Sequence, residues 1–479
     1  MRKSKFISLL RSLSEKERKE FRRFMEGLYS RQKVAIEILR YIEQYQPKFE
    51  SDKLEKDQVL EKVFGIKEAK SKDEKNLSNT LSDLYKYLEE YLLWQSMKER
   101  SFDRTQAMLK IFQEKRLNKF YFQQIDNQLR TLNKASTPQG LWLNLQRMLL
   151  MHQKYYYSIE DKVSLNANSM QLCMDYLDNF FVEAKLRYSA ELFSRATIVK
   201  EDYKINFLHE VMDWHASNTS QSDVYRQALL NTFNLTQEEN HQLYFQQKEL
   251  LINNYGLFEK KEYPVLFYSL INYAALVIKR GERQFLEEIF SLYKFGLQKE
   301  LFIENGFITY VAFHNITNLG CKLKEFEWVE QFIKKWSVYL PKDIKEHACK
   351  ISWALLYFEQ KEFEKVIDCI KDLQFLTIAY FSIRSRWLTL CSFYELGYSE
   401  SLVKDYCKSF EVFLRRNKTL QGKVAKSYFN LIRFIRMFLR KNISKATLEE
   451  ELAKTEVLAC KLWVEEKIED IEQRKATYR

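Results

Sequence analysis

Glycine and proline are scarce in this chain. Its 479 residues include 10 glycines and 4 prolines, far below the roughly 12% that these two residues make up in average proteins. The tight turns of strand-rich folds depend on both residues. Their scarcity therefore excludes most β and α/β folds, and the sequence predicts an all-α protein whose helices are joined by short turns.

Long apolar runs are also missing. The longest, at 270–278, contains Asn272 and is about half the ~18 residues that a membrane span requires. The apolar stretch at 6–10 is too short for a secretory signal and ends at Arg11. The seven cysteines form no CxxC pair, which is typical of a reducing compartment. We therefore expect a cytoplasmic protein without a membrane span.

Sequence motifs that carry catalysis are absent as well. The chain has no GxGxxG, GxxxxGK[ST], GxSxG or HExxH pattern. His209 and His215 lie six positions apart, on different faces of a helix, and His347 and Cys349 point away from each other. We therefore expect no catalytic, cofactor-binding or metal-binding residues, and a protein that is not an enzyme. The alternative is an enzyme site assembled from distant helices, which a cleft of converging, unpaired charges would indicate.

Apolar residues at helical spacing are abundant. Hydrophobic residues make up 46% of the chain and charged residues 30%, enough apolar material for a folded core. Ser14 followed by Glu17 is a helix start signal, and a stripe of apolar residues later in the opening segment predicts one amphipathic helix. Its members are Leu77, Leu81, Leu84, Leu88 and Tyr91. We predict an N-terminal helical module at residues 1–97.

Self-similar segments appear further along the chain, and we predict that residues 98–479 form an α-solenoid of stacked helical hairpins. Segments 273–290, 324–341 and 353–373 each read as a helix, a short polar turn and a second helix. Equivalent points fall at unequal intervals. They are Arg283, Phe326, Phe363 and Tyr398.

These segments resemble the tetratricopeptide repeat (TPR) family. The matching positions are Ala354 and Tyr357 on the first helix, Phe363, Val366 and Ile370 at the turn and on the second helix, and Pro341 as the closing proline. The resemblance implies a concave groove that binds a peptide or helix of another protein. The opening, from Leu10 to Phe24, also resembles uncharacterised bacterial helical-repeat proteins, which implies no activity.

The segment 415–445 is strongly basic. It contains ten lysines and arginines and no acidic residue. Four of them share one helical stripe, which we call the basic stripe and which is our candidate partner-binding surface. The stripe consists of Lys426, Arg433, Arg436 and Arg440.

Four interpretations of the basic stripe stay open at this point. Acidic residues of the C-terminal capping helix, from Glu465 to Asp470, could neutralise it internally, or it could bind an acidic protein, RNA or DNA, or a membrane surface. Our first hypothesis for the chain is a non-catalytic scaffold that binds an unidentified protein or peptide. The alternative is a nucleic-acid-binding protein that uses the basic stripe.

Overall fold

The structure, a computed structural model, describes residues 1–68, 70–160, 167–199, 203–218, 223–373, 378–417, 420, 422–440 and 443–477. It is 78% helical, and the prediction of an all-α fold is confirmed. Within the described residues, no helix is both long and apolar enough to pass through a membrane.

The chain divides into two compact units, which we describe separately. The first comprises Met1–Tyr188, Lys204–Gln221 and Gly256–Glu259. Its helices are α1 (Lys5–Ser12), α2 (Glu15–Leu28), α3 (Lys33–Glu43), α4 (Lys56–Phe64), α5 (Ser71–Glu99), α6 (Ser101–Glu114), α7 (Asn118–Leu132), α8 (Trp142–Glu160), α9 (Ala167–Val199, whose last part belongs to the second unit) and α10 (Leu208–Asn218), with a 3₁₀ turn at Asp52–Leu54.

Two local features that the sequence predicted are present in the first unit. Ser14 and Glu17 form a reciprocal capping box at the start of α2, and all five apolar residues of the predicted stripe on α5 are buried. One core cluster runs from Phe6 to Tyr91, and another runs from Leu109 to Tyr157. The module boundary at residue 97 stays a prediction.

The second unit comprises Ser189–Tyr203, Ser222–Tyr255 and Lys260–Arg479. Its further helices are α11 (Val224–Gln237), α12 (His241–Asn253), α13 (Tyr263–Lys279), α14 (Phe285–Gln298), α15 (Tyr310–Lys322), α16 (Phe326–Trp336), α17 (Lys342–Glu359), α18 (Phe363–Ile370), α19 (Ala379–Glu395), α20 (Glu400–Arg416), α21 (Lys423–Phe438), α22 (Lys445–Ala453) and α23 (Lys461–Thr477). Two strands, β1 (Ile303–Glu304) and β2 (Phe307–Ile308), form a small hairpin, and a 3₁₀ turn lies at Ser337–Tyr339. Another 3₁₀ turn, Tyr255–Leu257, begins at the last residue of one segment of this unit and continues into a segment of the first unit.

Consecutive helices of this unit pack as hairpins. The pairs are α11 with α12, α13 with α14, α15 with α16, α17 with α18, and α19 with α20. First helices also contact the first helix of a neighbouring hairpin: α11 touches α13, α15 touches α17, α17 touches α19, and α19 touches α21. Contacts that run mainly between neighbours are the pattern of a helical solenoid.

One turn geometry recurs in these hairpins. A residue with positive φ ends the first helix, and the next residue donates its N–H to a carbonyl five positions back, which is a Schellman motif. The positive-φ residues are Gly281, Lys324, Lys361 and Gly397. The bonds are Glu282 to Val277 (3.4 Å), Glu325 to Gly320 (3.0 Å), Glu362 to Tyr357 (2.8 Å) and Tyr398 to Phe393 (3.1 Å). The repeated segments are therefore unequally spaced in the sequence, but the same turn geometry joins the two helices in each of these hairpins.

Two adjacent hairpins match residue by residue after this turn. Phe326 and Phe363 begin their second helices. Further along, Val329 and Val366 are buried at the same position, and so are Ile333 and Ile370. The structure therefore contains packed hairpins compatible with a helical repeat.

Two helix starts differ from the sequence predictions. Thr447, followed three residues later by Glu450, has the sequence pattern of a cap for α22. Ser444 is the actual cap, and its hydroxyl accepts the Thr447 N–H. Thr137 before Pro138 likewise has the sequence pattern of a helix start, but α8 begins only at Trp142. Backbone bonds instead join Gln139 to the segment of the first unit around Phe258.

Two stretches are rich in β-branched and aromatic residues, and the helical segments on both sides of each predict buried helices there rather than strands. In the first, at 308–313, only Ile308 belongs to a strand, and α15 begins at Tyr310. In the second, at 375–383, residues 375–377 lie outside the described residues and α19 begins at Ala379. A segment rich in β-branched and aromatic residues forms a helix rather than a strand where its apolar positions also fit a helical period.

Candidate functional site

A cavity of about 920 Å³ lies within the second unit. Its walls come from α13, α15, α17, α19 and α21, together with the first residue of α18, the segment before α23 and the start of α23. The hairpins α13–α14, α15–α16, α17–α18 and α19–α20 thus present mainly their first helices to the cavity. Apolar lining residues include Leu355, Phe358, Phe363, Trp387 and Trp463.

Charged side chains of both signs line the cavity. The cations are Lys279, Lys322, Lys361, Arg384, Lys423 and Lys461, and the carboxylates are Glu359, Glu395, Glu456 and Glu466. Several of them neutralise one another: Lys361 pairs with Glu466 at 2.7 Å and Lys423 with Glu456 at 3.2 Å. These pairs reduce the net charge that a bound molecule would meet.

Arg384 is held in the wall by neutral groups. Its Nε donates a hydrogen bond to His314 Nε2 at 3.1 Å, and its guanidinium carbon lies 3.5 Å from the centre of the Tyr380 ring. No carboxylate of the described residues forms an ion pair with it. A guanidinium in this setting can donate from its Nη atoms to an anionic group that enters the cavity.

His314 is neutral in this environment. Burial, together with the positive charges of Arg384 and Lys322, lowers the pKa of His314 to about 3. Since Nε2 accepts from Arg384, the proton must lie on Nδ1. That Nδ1 has no hydrogen-bond partner among the described residues. The histidine therefore adds an unpaired buried donor beside Arg384.

Glu359 faces the same cavity from α17. Burial raises the pKa of its carboxyl group above the usual value, and the positive charge of Lys322 partly offsets this effect. Lys322 and Arg384 are thus cations that line the cavity without an ion pair to any described carboxylate. The cavity can favour a ligand that combines apolar surface with a negative charge.

Glu395 anchors the last helix at the rim. It accepts from the indole Nε1 of Trp463 at 2.7 Å and pairs with Lys467 Nζ at 2.9 Å. The Glu395 and Lys467 side chains are only 9% and 6% exposed. Lys467 also pairs with Asp470 at 2.8 Å. This buried set fixes the start of α23 against the end of α19.

Lys426, Arg433 and Arg436 of the basic stripe lie on α21 and are ion-paired, whereas Arg440 lies two residues beyond the end of that helix. Lys426 pairs with Glu456 at 3.5 Å, Arg433 with Glu451 at 3.1 Å, and Arg436 with Glu411 at 2.6 Å. Arg440 is exposed and has no ion pair to a described residue.

The rest of the basic segment is partly neutralised in the same way. Lys445 pairs with Glu469 of α23 at 2.7 Å, which is the kind of contact expected if the C-terminal helix neutralises the segment. Lys418 and Lys441 lie outside the described residues. Whether the basic stripe binds a partner stays a prediction.

Sequence reasoning did not identify the residues around Arg384. One signal was present: Arg384 and Arg386 lie in an otherwise uncharged stretch of α19, and the helix has no acidic residue before Glu395. Arginines in such a stretch need partners from other helices or a ligand.

The first unit has a smaller cavity of about 600 Å³ between α1 and α5. Its cationic lining residues are Lys3, Lys5, Lys56 and Lys86. Lys56 and Lys86 are paired with Glu74 and Asp83. This cavity involves few elements and does not involve the repeated hairpins, so we consider the larger cavity the better candidate.

Metal-ligating side chains converge at one place in the described part of the chain. Glu239, His241 and Glu282 bring their ligand atoms within 4.8 Å of one another. This group does not include His209, His215, His347 or Cys349. None of the three residues lines the large cavity.

Comparisons with known proteins give no further guide to this site. No protein-family model, curated protein or solved structure matches the chain.

Proposed function

We propose that this chain is a non-catalytic, TPR-like scaffold that binds a peptide or helix of a partner protein in the large cavity of its second unit. The observation that carries the proposal is the wall of that cavity. Successive hairpins contribute mainly their first helices to it, which is how repeat proteins build an extended binding surface.

The chemistry of the wall suggests the kind of partner. Phe358 and Trp387 supply apolar surface, and their rings pack edge to face at 5.4 Å. Arg384 and Lys322 supply positive charge that no described carboxylate offsets in an ion pair. A segment with apolar side chains and at least one acidic group suits both features.

The ion pairs on the basic stripe favour this proposal over the nucleic-acid alternative. Phosphates attract cations whose charge is free, whereas Lys426, Arg433 and Arg436 already pair with carboxylates. A nucleic acid would have to compete with Glu411, Glu451 and Glu456.

The proposal can be tested by affinity purification from the native host, with mass spectrometry of the proteins that co-elute. The bait variants are Arg384→Gln and Trp387→Ala in the cavity. Lys335→Gln is the control, because Lys335 is an exposed cation on α16, a second helix. We expect a protein that co-elutes with the wild type and the control and is lost from both cavity variants.

Circular dichroism of each variant checks that the fold is retained. If folded cavity variants recover every partner as well as the wild type does, the cavity is not the binding site and the proposal is wrong.

A further inference from the structure

Glu239, His241 and Glu282 form a compact group at the start of α12. His241 is the first residue of that helix, Glu239 lies two residues before it, and Glu282 lies in the turn between α13 and α14. The Nε2 atom of His241 is 3.4 Å from Glu239 Oε1 and 3.5 Å from Glu282 Oε1. Two carboxylates thus face one imidazole nitrogen from neighbouring hairpins.

These distances fit a shared metal ion. Zinc binds imidazole nitrogen and carboxylate oxygen with bonds of about 2.1 Å, and tetrahedral angles then separate neighbouring ligand atoms by about 3.4 Å. Both nitrogen–oxygen distances agree with that value. The buried Nε2 atom also has no hydrogen-bond partner among the described residues, so its lone pair is not used by the protein.

The second oxygen of each carboxylate is held by another side chain. Arg280 Nη1 forms a close ion pair with Glu239 Oε2. Gln284 Nε2 donates to Glu282 Oε2 at 3.2 Å. Partners of this kind orient metal ligands, and they leave the Oε1 atoms directed toward the histidine.

Aromatic rings fix the orientation of the histidine. The His241 ring lies 4.9 Å from the Phe285 ring and 6.2 Å from the Tyr273 ring, measured between centroids. The imidazole therefore cannot turn away from the carboxylates without losing these contacts. All three ligands are supported by residues that surround them.

We propose that Glu239, His241 and Glu282 bind a divalent transition-metal ion, with Zn²⁺ as the ion that fits the ligand set and spacing. Three protein ligands leave at least one coordination position for water. The ion joins the start of α12 to the turn between α13 and α14 and so ties two neighbouring hairpins together. This assignment departs from the expectation that the chain has no metal site.

The experiment uses the full-length protein after dialysis against a chelator. Isothermal titration with zinc chloride measures binding, and Co²⁺ absorption spectra report the ligand type. We expect one equivalent of Zn²⁺ to bind, a higher midpoint of thermal unfolding with zinc present, and a Co²⁺ spectrum without a thiolate charge-transfer band. That spectrum separates this site from the seven free cysteines.

The variants are His241→Ala and Glu282→Gln, with His209→Ala as a matched control on an exposed histidine of the first unit. Each ligand variant should weaken Zn²⁺ binding at least tenfold, and the control should bind like the wild type. Glu282→Gln keeps the shape of the side chain, so it remains informative if His241→Ala does not fold. No zinc binding by the wild type, or equal binding by Glu282→Gln, would overturn the assignment.

Discussion

Gly320 allows two helices of the second unit to approach closely. A Cβ atom at this position of α15 would lie 2.5 Å from Val329 Cγ2 on α16 and 3.3 Å from the Phe290 ring. Valine cannot swing away because its χ1 is restricted. The absence of a side chain at Gly320 is therefore part of how this hairpin packs.

We expect Gly320→Ala to destabilise the protein by about 1–3 kcal/mol, since overpacking a well-filled contact costs this much. Thermal unfolding followed by circular dichroism measures the effect. Gly27→Ala is the control, because no atom lies within 4 Å of a Cβ there, and it should stabilise α2 by up to about 1 kcal/mol. In a double-mutant cycle, Gly320→Ala should destabilise the Val329→Ala variant by less than it destabilises the wild type. An equal loss in both backgrounds would contradict this explanation.

His314 should make stability depend on pH. Its pKa of about 3 in the folded chain lies below the unfolded value of about 6.5. The neutral form is therefore favoured by folding, so its contribution to stability is complete above about pH 6.5 and is lost as the pH falls toward 3.

The comparison is between the wild type and His314→Asn, which keeps an acceptor for Arg384. Between pH 7 and pH 5 we expect the stability difference between them to shift against the wild type by at most about 2 kcal/mol. Urea unfolding at each pH measures it. Parallel losses in both proteins would contradict this explanation, because they would show that His314 takes up a proton as readily in the folded chain as in the unfolded chain.

At the scale of secondary-structure elements, α23 depends on a buried ion pair. Glu395→Ala removes the acceptor of Trp463 and one partner of Lys467, which is 6% exposed. Asp470 remains as a second partner, so we expect a loss of about 2–3 kcal/mol, less than for a fully isolated charge. Limited proteolysis with mass spectrometry should show faster cleavage at residues after Cys460.

The control is Glu450→Ala, which breaks an exposed pair between Glu450 of α22 and Lys454 just after that helix. Exposed ion pairs contribute little to the free energy of unfolding. This variant should therefore be cleaved at the same rate as the wild type. Equal protection of α23 in wild type and Glu395→Ala would show that apolar contacts alone hold it.

Local patterns made the elements largely predictable from the sequence. The capping box formed by Ser14 and Glu17 and the buried apolar stripe on α5 were both predicted from residue spacing, and both are confirmed. The strand pair was missed although Asn305 and Gly306, both with positive φ, are a known two-residue hairpin signal. At α22, Ser444 and Thr447 both offer a capping hydroxyl three residues apart, and Ser444 is the residue that caps the helix.

The candidate site was not predictable in the same way. Arg384 and His314 are 70 positions apart in sequence, and Glu239 meets Glu282 only because α12 packs beside α13. Contacts between residues of different hairpins depend on how the hairpins pack against one another. A local pattern of apolar residues does not encode that packing. The one usable signal was that Arg384 and Arg386 lie in a stretch of α19 with no acidic residue before Glu395.

At the scale of the whole molecule, the charge is +12, which makes weak, nonspecific attraction to nucleic acid a real competitor to our proposal. Because Lys426, Arg433 and Arg436 are ion-paired, we expect labelled RNA and DNA to show no saturable binding in fluorescence anisotropy at about 150 mM salt.

The triple variant Arg433→Glu, Arg436→Glu, Arg440→Glu provides the comparison. Any weak binding of labelled RNA or DNA at low salt should depend on the total charge of the protein. It should therefore decline only modestly in this variant. Tight binding that the triple variant abolishes would instead support the nucleic-acid alternative.

The burial of Trp463, Val464 and Ile468 on α23 has a consequence for solubility. Each hairpin in a stack offers its neighbour an apolar flank, and a flank left uncovered fits the opposite flank of another copy. Such head-to-tail contacts do not close into a ring and can grow into filaments. Because these side chains are covered within one chain, we expect α23 to disfavour polymerisation of the protein through this flank.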